Sequence, residues 1–568
     1  MSKQVIVIGG VAAGPKAAAR FRRLDPTAEI TIIEQGDLVS YAGCGTPYYV
    51  KGDIREFSEL IETPVGTPRD AAFFRKVKDI GVRTRTLAES IDRANKTVQV
   101  INLDTSERET LSYDQLVLAT GGTPVRPPFP GIDLAHVYTL RSPHDAQAIR
   151  DAIDAHQDGS GVMRAVIVGA GLIGLEMCEA LVERGLEVTV VEMFPHVLPG
   201  LLDVETATFV GRHAAAKGIH LVMGEKVVAL DGNARGSVSC VRTTGPAIDA
   251  DLVIVSVGVR PNDQLARDAG LDVHPRGGIL VNARMQTSDP DIYAAGDCVL
   301  CTHLVSGETA YVPLGSTANK QGRVIGTNLA GGDETFPGIT GTAVAKHCDV
   351  NIGSTGLTET KARALGYDVV TTLSPAPDHA HYYPGAKVIF VKMIADAKTR
   401  KVLGVQVVGP GEAAKRVDVI ATALRFGATV DDVATLDLGY APPYSGALDN
   451  VMHAANILRN KLDGIAKTIS PIEVKAKMDA GEDFLLLDVR GPPEYEAMRI
   501  EDPRVKLVPL GKLRASLDEL PRDKEIIPFC KISLRGYEAQ KILEGAGFEN
   551  VRFMDGGVVG WPYEIVKG

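Results

Sequence analysis

Twice along this chain an apolar, β-branched run breaks into a glycine turn, passes through small residues, and resumes as a second apolar run that ends on an acid. The first copy is Val5-Ile6-Val7-Ile8-Gly9-Gly10-Val11-Ala12-Ala13-Gly14, followed by Ile30-Thr31-Ile32-Ile33-Glu34. The second is Ala165-Val166-Ile167-Val168-Gly169-Ala170-Gly171-Leu172-Ile173-Gly174, followed by Val188-Thr189-Val190-Val191-Glu192. Short strands of this kind, joined through a helix to a parallel neighbour, are βαβ units, so the repeat commits the chain to an α/β fold with two Rossmann-like domains. The glycines also have a ligand-side reason, because a pyrophosphate reaches the amides at a helix N-terminus only where no Cβ intervenes. The acid roughly twenty residues on is placed to accept hydrogen bonds from ribose hydroxyls. Each unit therefore predicts one bound dinucleotide. Val11 stands at the middle glycine position of the first copy, whereas Gly169, Gly171 and Gly174 complete the second. Glu192 would repel the extra phosphate of NADPH and no Arg follows it directly, so the second unit is expected to take NADH.

A chain of 568 residues exceeds what one hydrophobic core supports, and several domains are expected. A formal charge of -10 argues against a general attraction to nucleic acid or to anionic membranes, so an anionic ligand needs local Arg and Lys clusters. The chain enters its first strand at Val5 without a signal segment, and no run approaches the roughly twenty apolar residues of a membrane helix. A cytoplasmic protein with small-molecule partners is expected. Seven cysteines, an odd number spread over a long chain, predict reduced thiols and no disulfide framework.

Between the two units lies Leu116-Val117-Leu118-Ala119-Thr120-Gly121-Gly122-Thr123-Pro124, a strand ending in a small-residue turn where the chain would cross between nucleotide domains. Leu252 to Pro261 closes the second unit, and a buried strand before Gly296 delivers Asp297 at a loop. In this order the elements resemble the two-dinucleotide-binding-domain flavoprotein disulfide reductases over about residues 1 to 450. The resemblance implies FAD on the first unit, with Gly9, Gly14, Glu34, Thr120 and Gly121 as contacts and Asp297 holding the ribityl chain. It implies NADH on Gly169, Gly171, Gly174 and Glu192. The expected layout is an FAD-binding domain over 1–150 and 271–330, an NAD-binding domain over 151–270, and an α+β dimerisation domain over 331–450. A linker over 451–470 and an α/β domain over 471–568 complete it.

Most members of that family carry two cysteines, separated by four residues, after the FAD acid. Here Cys44 stands in Ser40-Tyr41-Ala42-Gly43-Cys44-Gly45-Thr46-Pro47-Tyr48-Tyr49, and Tyr49 occupies the second position. A lone thiolate at an expected helix start can form a mixed disulfide or persulfide with a substrate. The run resembles that of coenzyme A-disulfide reductases and NADH-dependent per- and polysulfide reductases, with Gly43 in place of Asn and Thr46 in place of Leu. The resemblance implies coenzyme A contacts at Arg20, Arg23, Ser40 and Lys78. Basic groups are what a bisphosphorylated carrier requires.

From about residue 335 the pattern turns β-rich, with one long helix expected around Pro410 to Phe426. By the same resemblance, Tyr382 and Tyr440 match tyrosines that reach across a homodimer to the partner's flavin and cysteine, where a phenol can protonate a leaving thiolate. The last hundred residues resemble a rhodanese domain. There, Cys530 follows a strand, and the loop of backbone amides after it, leading into a helix, would hold a persulfide, with Arg535 bracing it. Ala497-Met498-Arg499-Ile500 departs from the usual rhodanese run. Cys298 and Cys301 form a C-x-x-C spacing without a second pair. Coincidence on the flavin-binding helix is the expected reading, and no metal site is expected.

Together these features predict FAD-dependent reduction by NADH of a thiol-bound sulfur, as a coenzyme A persulfide or polysulfide, through Cys44. Rival readings are a coenzyme A-disulfide reductase, an NADH oxidase or peroxidase cycling Cys44 through sulfenic acid, and a sulfur-transfer or redox-sensing binding protein.

Overall fold

The computed structural model describes residues 2–156 and 161–568. They form two compact units, one of Met1–Pro195 with Gly218–Ile339, the other of His196–Lys217 with Thr340–Gly568.

The first unit holds two five-stranded parallel sheets. In one, Ile292–Ala294, Gln115–Leu118, Gln4–Ile8, Glu29–Ile33 and Gly81–Arg83 run side by side; in the other, His220–Met223, Glu187–Glu192, Arg164–Val168, Leu252–Val255 and Val137–Tyr138. Val5 to Ile8 and Ala165 to Val168 are all buried, as expected for strands covered on both faces, which read as unbroken apolar runs. Each sheet has a companion three-stranded antiparallel meander, Thr86–Asp92 with Thr97–Asn102 and Arg108–Ser112, and Val227–Gly232 with Val238–Thr243 and Ala247–Asp249. The connection between the sheets is a strand pair, Gly122–Pro124 antiparallel to Val259–Pro261.

The helix Gly315–Leu329 packs on the helix Ala13–Leu24. Contact is close because Gly326 faces the other backbone; a Cβ there would lie 2.6 Å from the Ala17 carbonyl oxygen. The strand Ile292–Ala294, just before Asp297, pairs with Gln115–Leu118 at the edge of the first sheet. Chain following the second sheet thereby returns to the first.

The second unit contains a five-stranded antiparallel sheet in the order Ala343–His347, Val350–Gly356, Val402–Gly409, Val388–Asp396, Val369–Pro377. The long helix expected around Pro410 to Phe426 runs from Ala414 to Arg425, and Asn450–Leu462 packs on the strand Val369–Pro377. Residues 451–470, expected as a linker, are thus structured. They hold most of the Asn450–Leu462 helix and the strand Thr468–Ile469, which pairs in parallel with Phe553–Met554. Beyond them, Val505–Leu507, Phe484–Asp488 and Glu525–Phe529 form a parallel sheet flanked by the helices Pro471–Asp479 and Leu534–Gly545.

His196–Lys217 belongs to this second unit, although it lies inside the stretch expected as the NAD-binding domain. A buried charge cluster accounts for that. Lys392, 2% exposed on the strand Val388–Asp396, sits 2.7 Å from Glu205, 2.7 Å from Glu359 and 3.6 Å from Asp203. Asp203 also accepts from the Gln406 amide at 2.6 Å. Three carboxylates keep the lysine charged despite its burial, which alone would favour the neutral amine. Arrangements of this kind fix position more than they add stability.

Candidate functional site

The two glycine turns have the same construction. Gly9 adopts φ +110° and Gly169 φ +104°, and a Cβ would fall 2.0 Å from the Ala119 carbonyl oxygen in the first and 2.6 Å from that of Ser256 in the second. Gly14 and Gly174 each lie against the first glycine of their own turn, where a Cβ would sit 2.0 Å and 2.2 Å from its carbonyl oxygen. Nothing among the described residues lies within 4 Å of a Cβ on Gly171, the N-cap of the helix Leu172–Glu183. That is the open approach a pyrophosphate needs.

The terminal acids repeat the symmetry. Glu34 accepts from the Gly10 amide at 2.6 Å and from the Gly36 amide at 2.8 Å, and Glu192 accepts from Ala170 at 2.8 Å and from Phe194 at 3.1 Å. Each carboxylate is therefore clamped to its own turn, with lone pairs left for ribose hydroxyls.

Thr120 and Gly121 lie where the chain crosses between the sheets, held by Asn262: the Asn262 side-chain amide donates to the Thr120 carbonyl at 2.9 Å, and the Asn262 backbone amide to that of Gly121 at 2.9 Å. Asp297 is paired with Arg141 at 2.7 Å. The Tyr311 hydroxyl is buried with no hydrogen-bond partner among the described residues, and burial, reinforced by Asp297, pushes this phenol up. A buried donor with no protein partner, near Asp297 and beside Gly122, fits a bound polar ligand such as the flavin nucleotide. Sequence reading missed Arg141 and Tyr311, because no local motif marks residues recruited from distant loops.

Cys44 is exposed in a 3-10 turn, Gly43–Gly45. The expected helix start falls slightly later. The α-helix is Thr46–Lys51, capped at Gly45, since Pro47 fits its first turn and Thr46 closes the preceding one by donating to the Gly43 carbonyl at 2.7 Å. Tyr49 is buried, and its hydroxyl donates to Gln147. No second thiol is available at that position. Lys51 ties this short helix to the NAD-side helix through Glu179 at 2.9 Å. On that same helix Glu176 is pushed up to about 7, first by burial and then by Glu179. A carboxyl there titrates near neutrality.

Arg20 and Arg23 lie on the helix Ala13–Leu24, where Arg20 donates to the Thr327 hydroxyl at 3.1 Å and Arg23 is exposed. Ser40 has φ +52° and donates through its amide to the Gly10 carbonyl at 2.8 Å. Lys78 ends the helix Ala71–Lys78, its ammonium 5.7 Å from the centre of the Phe73 ring. Arg22 joins the two helices by donating to the Asp79 carbonyl at 2.8 Å. Neither Cys298 nor Cys301 is on a helix, contrary to expectation; Cys301 begins the strand Cys301–Thr302. Cys298 donates to the Ala295 carbonyl at 3.3 Å, and burial raises both thiols, Cys301 to about 11. Protonated thiols of this kind are poor nucleophiles.

In the second unit Tyr382 and Tyr440 are 66% and 52% exposed, and a hydrogen bond between their phenols raises Tyr382. Cys530 is buried at the end of the strand Glu525–Phe529, before the helix Leu534–Gly545. One amide of the loop, that of Ser533, donates to its sulfur at 3.3 Å. Arg535 forms two 2.7 Å hydrogen bonds with Glu494, which hold the Glu494 carboxyl down at about 2. Glu494 in turn accepts from the Gly491 amide, and the Arg490 guanidinium, buried on Asp488, donates to the Glu494 carbonyl at 3.0 Å. Arg535 is thus held by a carboxylate 41 residues earlier in the chain.

A depressed carboxyl stabilises the fold fully above its unfolded value of roughly 4.3, and the contribution disappears as pH falls toward the folded value. Because that folded value is about 2, Glu494→Gln should lower thermal stability at neutral pH and flatten the acid limb between about pH 4.5 and about pH 2. Unfolding followed across that range checks it; acid limbs of equal slope would contradict the assignment.

No helix among the described residues is long and apolar enough to cross a membrane. Residues 3–322 match the pyridine nucleotide-disulphide oxidoreductase family, 342–452 its dimerisation domain, and 470–563 the rhodanese-like domain. A solved NAD-dependent persulfide reductase from A. fulgidus is 45% identical, with a TM-score of 0.93, covering 98% of this chain and 100% of that one. The reduced Bacillus anthracis CoADR-RHD is 36% identical, with a TM-score of 0.91, over 99% of this chain and 98% of its own. A curated relative from Pyrococcus abyssi, a CoA-dependent NAD(P)H sulfur oxidoreductase, is 38% identical over 81% of this chain and 99% of its own length.

Proposed function

Because the chain belongs to the pyridine nucleotide-disulphide oxidoreductases and carries their dimerisation domain and a rhodanese-like domain, we propose that it uses NADH to reduce sulfur bound to a coenzyme A-type thiol, as a persulfide or polysulfide. The family works with FAD and a pyridine nucleotide. The carrying observation is the lone exposed Cys44, with buried Tyr49 in place of a second cysteine, in a chain that also holds the Cys530 loop.

Gly9, Gly14, Glu34, Thr120, Gly121 and Asp297 would hold FAD, and Gly169, Gly171, Gly174 and Glu192 would hold NADH. Bound FAD supplies the conversion of a nicotinamide hydride into an electron pair for sulfur. Arg20, Arg23, Ser40 and Lys78 are proposed to bind the phosphates and ribose of the carrier. The Cys44 thiolate attacks the outer sulfur of the persulfide, forming a Cys44 persulfide and releasing the carrier thiolate. Two electrons, supplied ultimately by NADH, then cleave that S–S bond to hydrosulfide and the Cys44 thiolate. Exposed on one protomer, Tyr382 and Tyr440 are proposed to donate protons to the leaving thiolate at the partner's Cys44 in a homodimer. Cys530, braced by Arg535, is proposed to carry sulfane sulfur to or from the carrier. A cytoplasmic setting suits free NADH and reduced thiols.

The second reading is a coenzyme A-disulfide reductase, favoured by the likeness to CoADR-RHD over the whole chain. Steady-state turnover with NADH on coenzyme A persulfide, coenzyme A disulfide and oxygen separates the readings. The persulfide should have the highest kcat/KM, and a higher value for the disulfide would select the second. Glu192, clamped by two amides and 7% exposed, cannot turn away from an added phosphate. NADH should therefore exceed NADPH in kcat/KM by roughly tenfold or more, and Glu192→Ala should narrow the gap. A preference for NADPH would refute this.

A further inference from the structure

The Cys530 loop is bounded by a turn, Asp555-Gly556-Gly557-Val558-Val559, in the same compact unit. Gly556 and Gly557 adopt φ +72° and +57°. A Cβ on Gly557 would lie 2.4 Å from the Cys530 carbonyl oxygen, and one on Gly556 would lie 2.9 Å from Cδ2 of Leu373, on the strand Val369–Pro377. The turn is wedged between the cysteine loop and the five-stranded sheet.

Its hydrogen bonds lead to the sulfur. Val558 donates to the Cys530 carbonyl at 2.9 Å and Val559 to that of Lys531 at 3.1 Å. Gly556 donates to the Ser533 hydroxyl at 2.8 Å, and the Ser533 amide reaches the Cys530 sulfur at 3.3 Å. Ser533 is held at φ +137°, a region that costs a non-glycine residue about 1–3 kcal/mol and persists only where its surroundings over-determine it.

The start of the turn is pinned from elsewhere. The Asp555 carboxylate pairs with the ammonium of Lys461, on the helix Asn450–Leu462, and both side chains are 7% exposed. Lys461 also donates to the Thr371 carbonyl at 2.5 Å, on the sheet strand that carries Leu373. Two glycines would suffice to make the turn. An ion pair taken out of water contributes little net stability, and what it secures is a single location.

We propose that the Lys461–Asp555 pair is a positioning pair for the Cys530 loop, so that a lysine outside the rhodanese-like segment 470–563 sets the rate of sulfur transfer at Cys530. This rests on the reading of Cys530 as a sulfur carrier. Loosening the pair releases the turn and, through Gly556 and Ser533, the amide that faces the sulfur.

The test uses the full chain with Cys44→Ser, so that Cys530 is observed apart from the reductase thiol. Sulfur transfer from thiosulfate to cyanide is measured. The Cys530 thiolate takes the outer sulfur, releasing sulfite, and cyanide removes it as thiocyanate, restoring the thiolate without net electron exchange. Lys461→Met should lower kcat by roughly tenfold to a hundredfold, with a smaller change in KM for thiosulfate, because geometry at the sulfur is lost and not the donor site. Lys461→Arg should restore most of the rate. Lys461→Met combined with Asp555→Leu replaces the pair by apolar side chains of similar size, and it should unfold near the parental temperature yet stay slow. Parental turnover in this folded double variant, or in Lys461→Met, would overturn the proposal. If further replacing Cys530 by Ser does not lower thiocyanate formation by the Cys44→Ser parent, the carrier reading fails and takes the inference with it.

Discussion

Cys44→Ser should abolish NADH-driven reduction of persulfides and disulfides while FAD content stays at the parental level. The thiol lies in an exposed 3-10 turn, whereas the proposed flavin contacts are Gly9, Glu34 and Asp297, none of which uses the sulfur. A serine hydroxyl is a far weaker nucleophile at neutral pH and cannot hold a sulfane sulfur for reduction. Tyr49 offers no substitute thiol nearby. The expected loss is at least about 10³-fold in kcat with coenzyme A persulfide, read as NADH consumption together with sulfide release. Oxygen reduction survives as a slow background. Sulfide release above a hundredth of the parental rate, with flavin content matched, would remove Cys44 from the centre of the mechanism.

Cys530→Ser has the opposite profile. Transfer of sulfur from thiosulfate to cyanide should be lost, because that loop holds no second thiol, while reduction of preformed coenzyme A persulfide should stay within about twofold of parental. Of the two, only Cys44 lies in the unit that holds the glycine turns proposed to bind nucleotides. Cys530 follows the strand Glu525–Phe529, and its sulfur accepts from the Ser533 amide close to the Arg535–Glu494 pair. Sulfur donors that must first be captured by the loop should slow in proportion to their dependence on it. Equal loss of every activity, with FAD content and oligomeric state unchanged, would make Cys530 an obligatory relay.

Features that depend on a few consecutive residues were legible before the structure. The glycine turns are of that kind: Gly9 and Gly169 need positive φ, Gly14 and Gly174 need the absence of a Cβ, and both demands are local. The terminal acids were legible as the ends of their strands, but their clamping of their own turns was not, since a carboxylate gives no sign in sequence of which amides it will meet. Cys44 was found from the residues around it, yet the helix after it starts at Thr46, because a hydroxyl and a proline outweigh the glycines in setting the first turn. Long-range partners escaped altogether. Arg141 finds Asp297 and Glu494 finds Arg535 only after the chain has folded. Cys298 and Cys301 were expected on the flavin-binding helix of the family they resemble, but the next helix after Asp297 begins only at Gly315.

The anchoring of residues 196–217 has a bearing on how this protein can be taken apart. Linear order suggests modules that might be exchanged with a relative by two cuts, yet a graft of the 151–270 stretch would remove the helix Val204–Ala216 from the unit that holds it. Lys392 would lose Asp203 and Glu205 together and keep only Glu359 among its three carboxylates. Removing partners from a buried charge costs about 3–5 kcal/mol, a large share of a domain's stability. Chimaeras that change nucleotide preference should therefore splice on either side of His196–Lys217 and keep that segment with its native sheet, which makes this protein's parts interchangeable along its three-dimensional seams and not along its sequence.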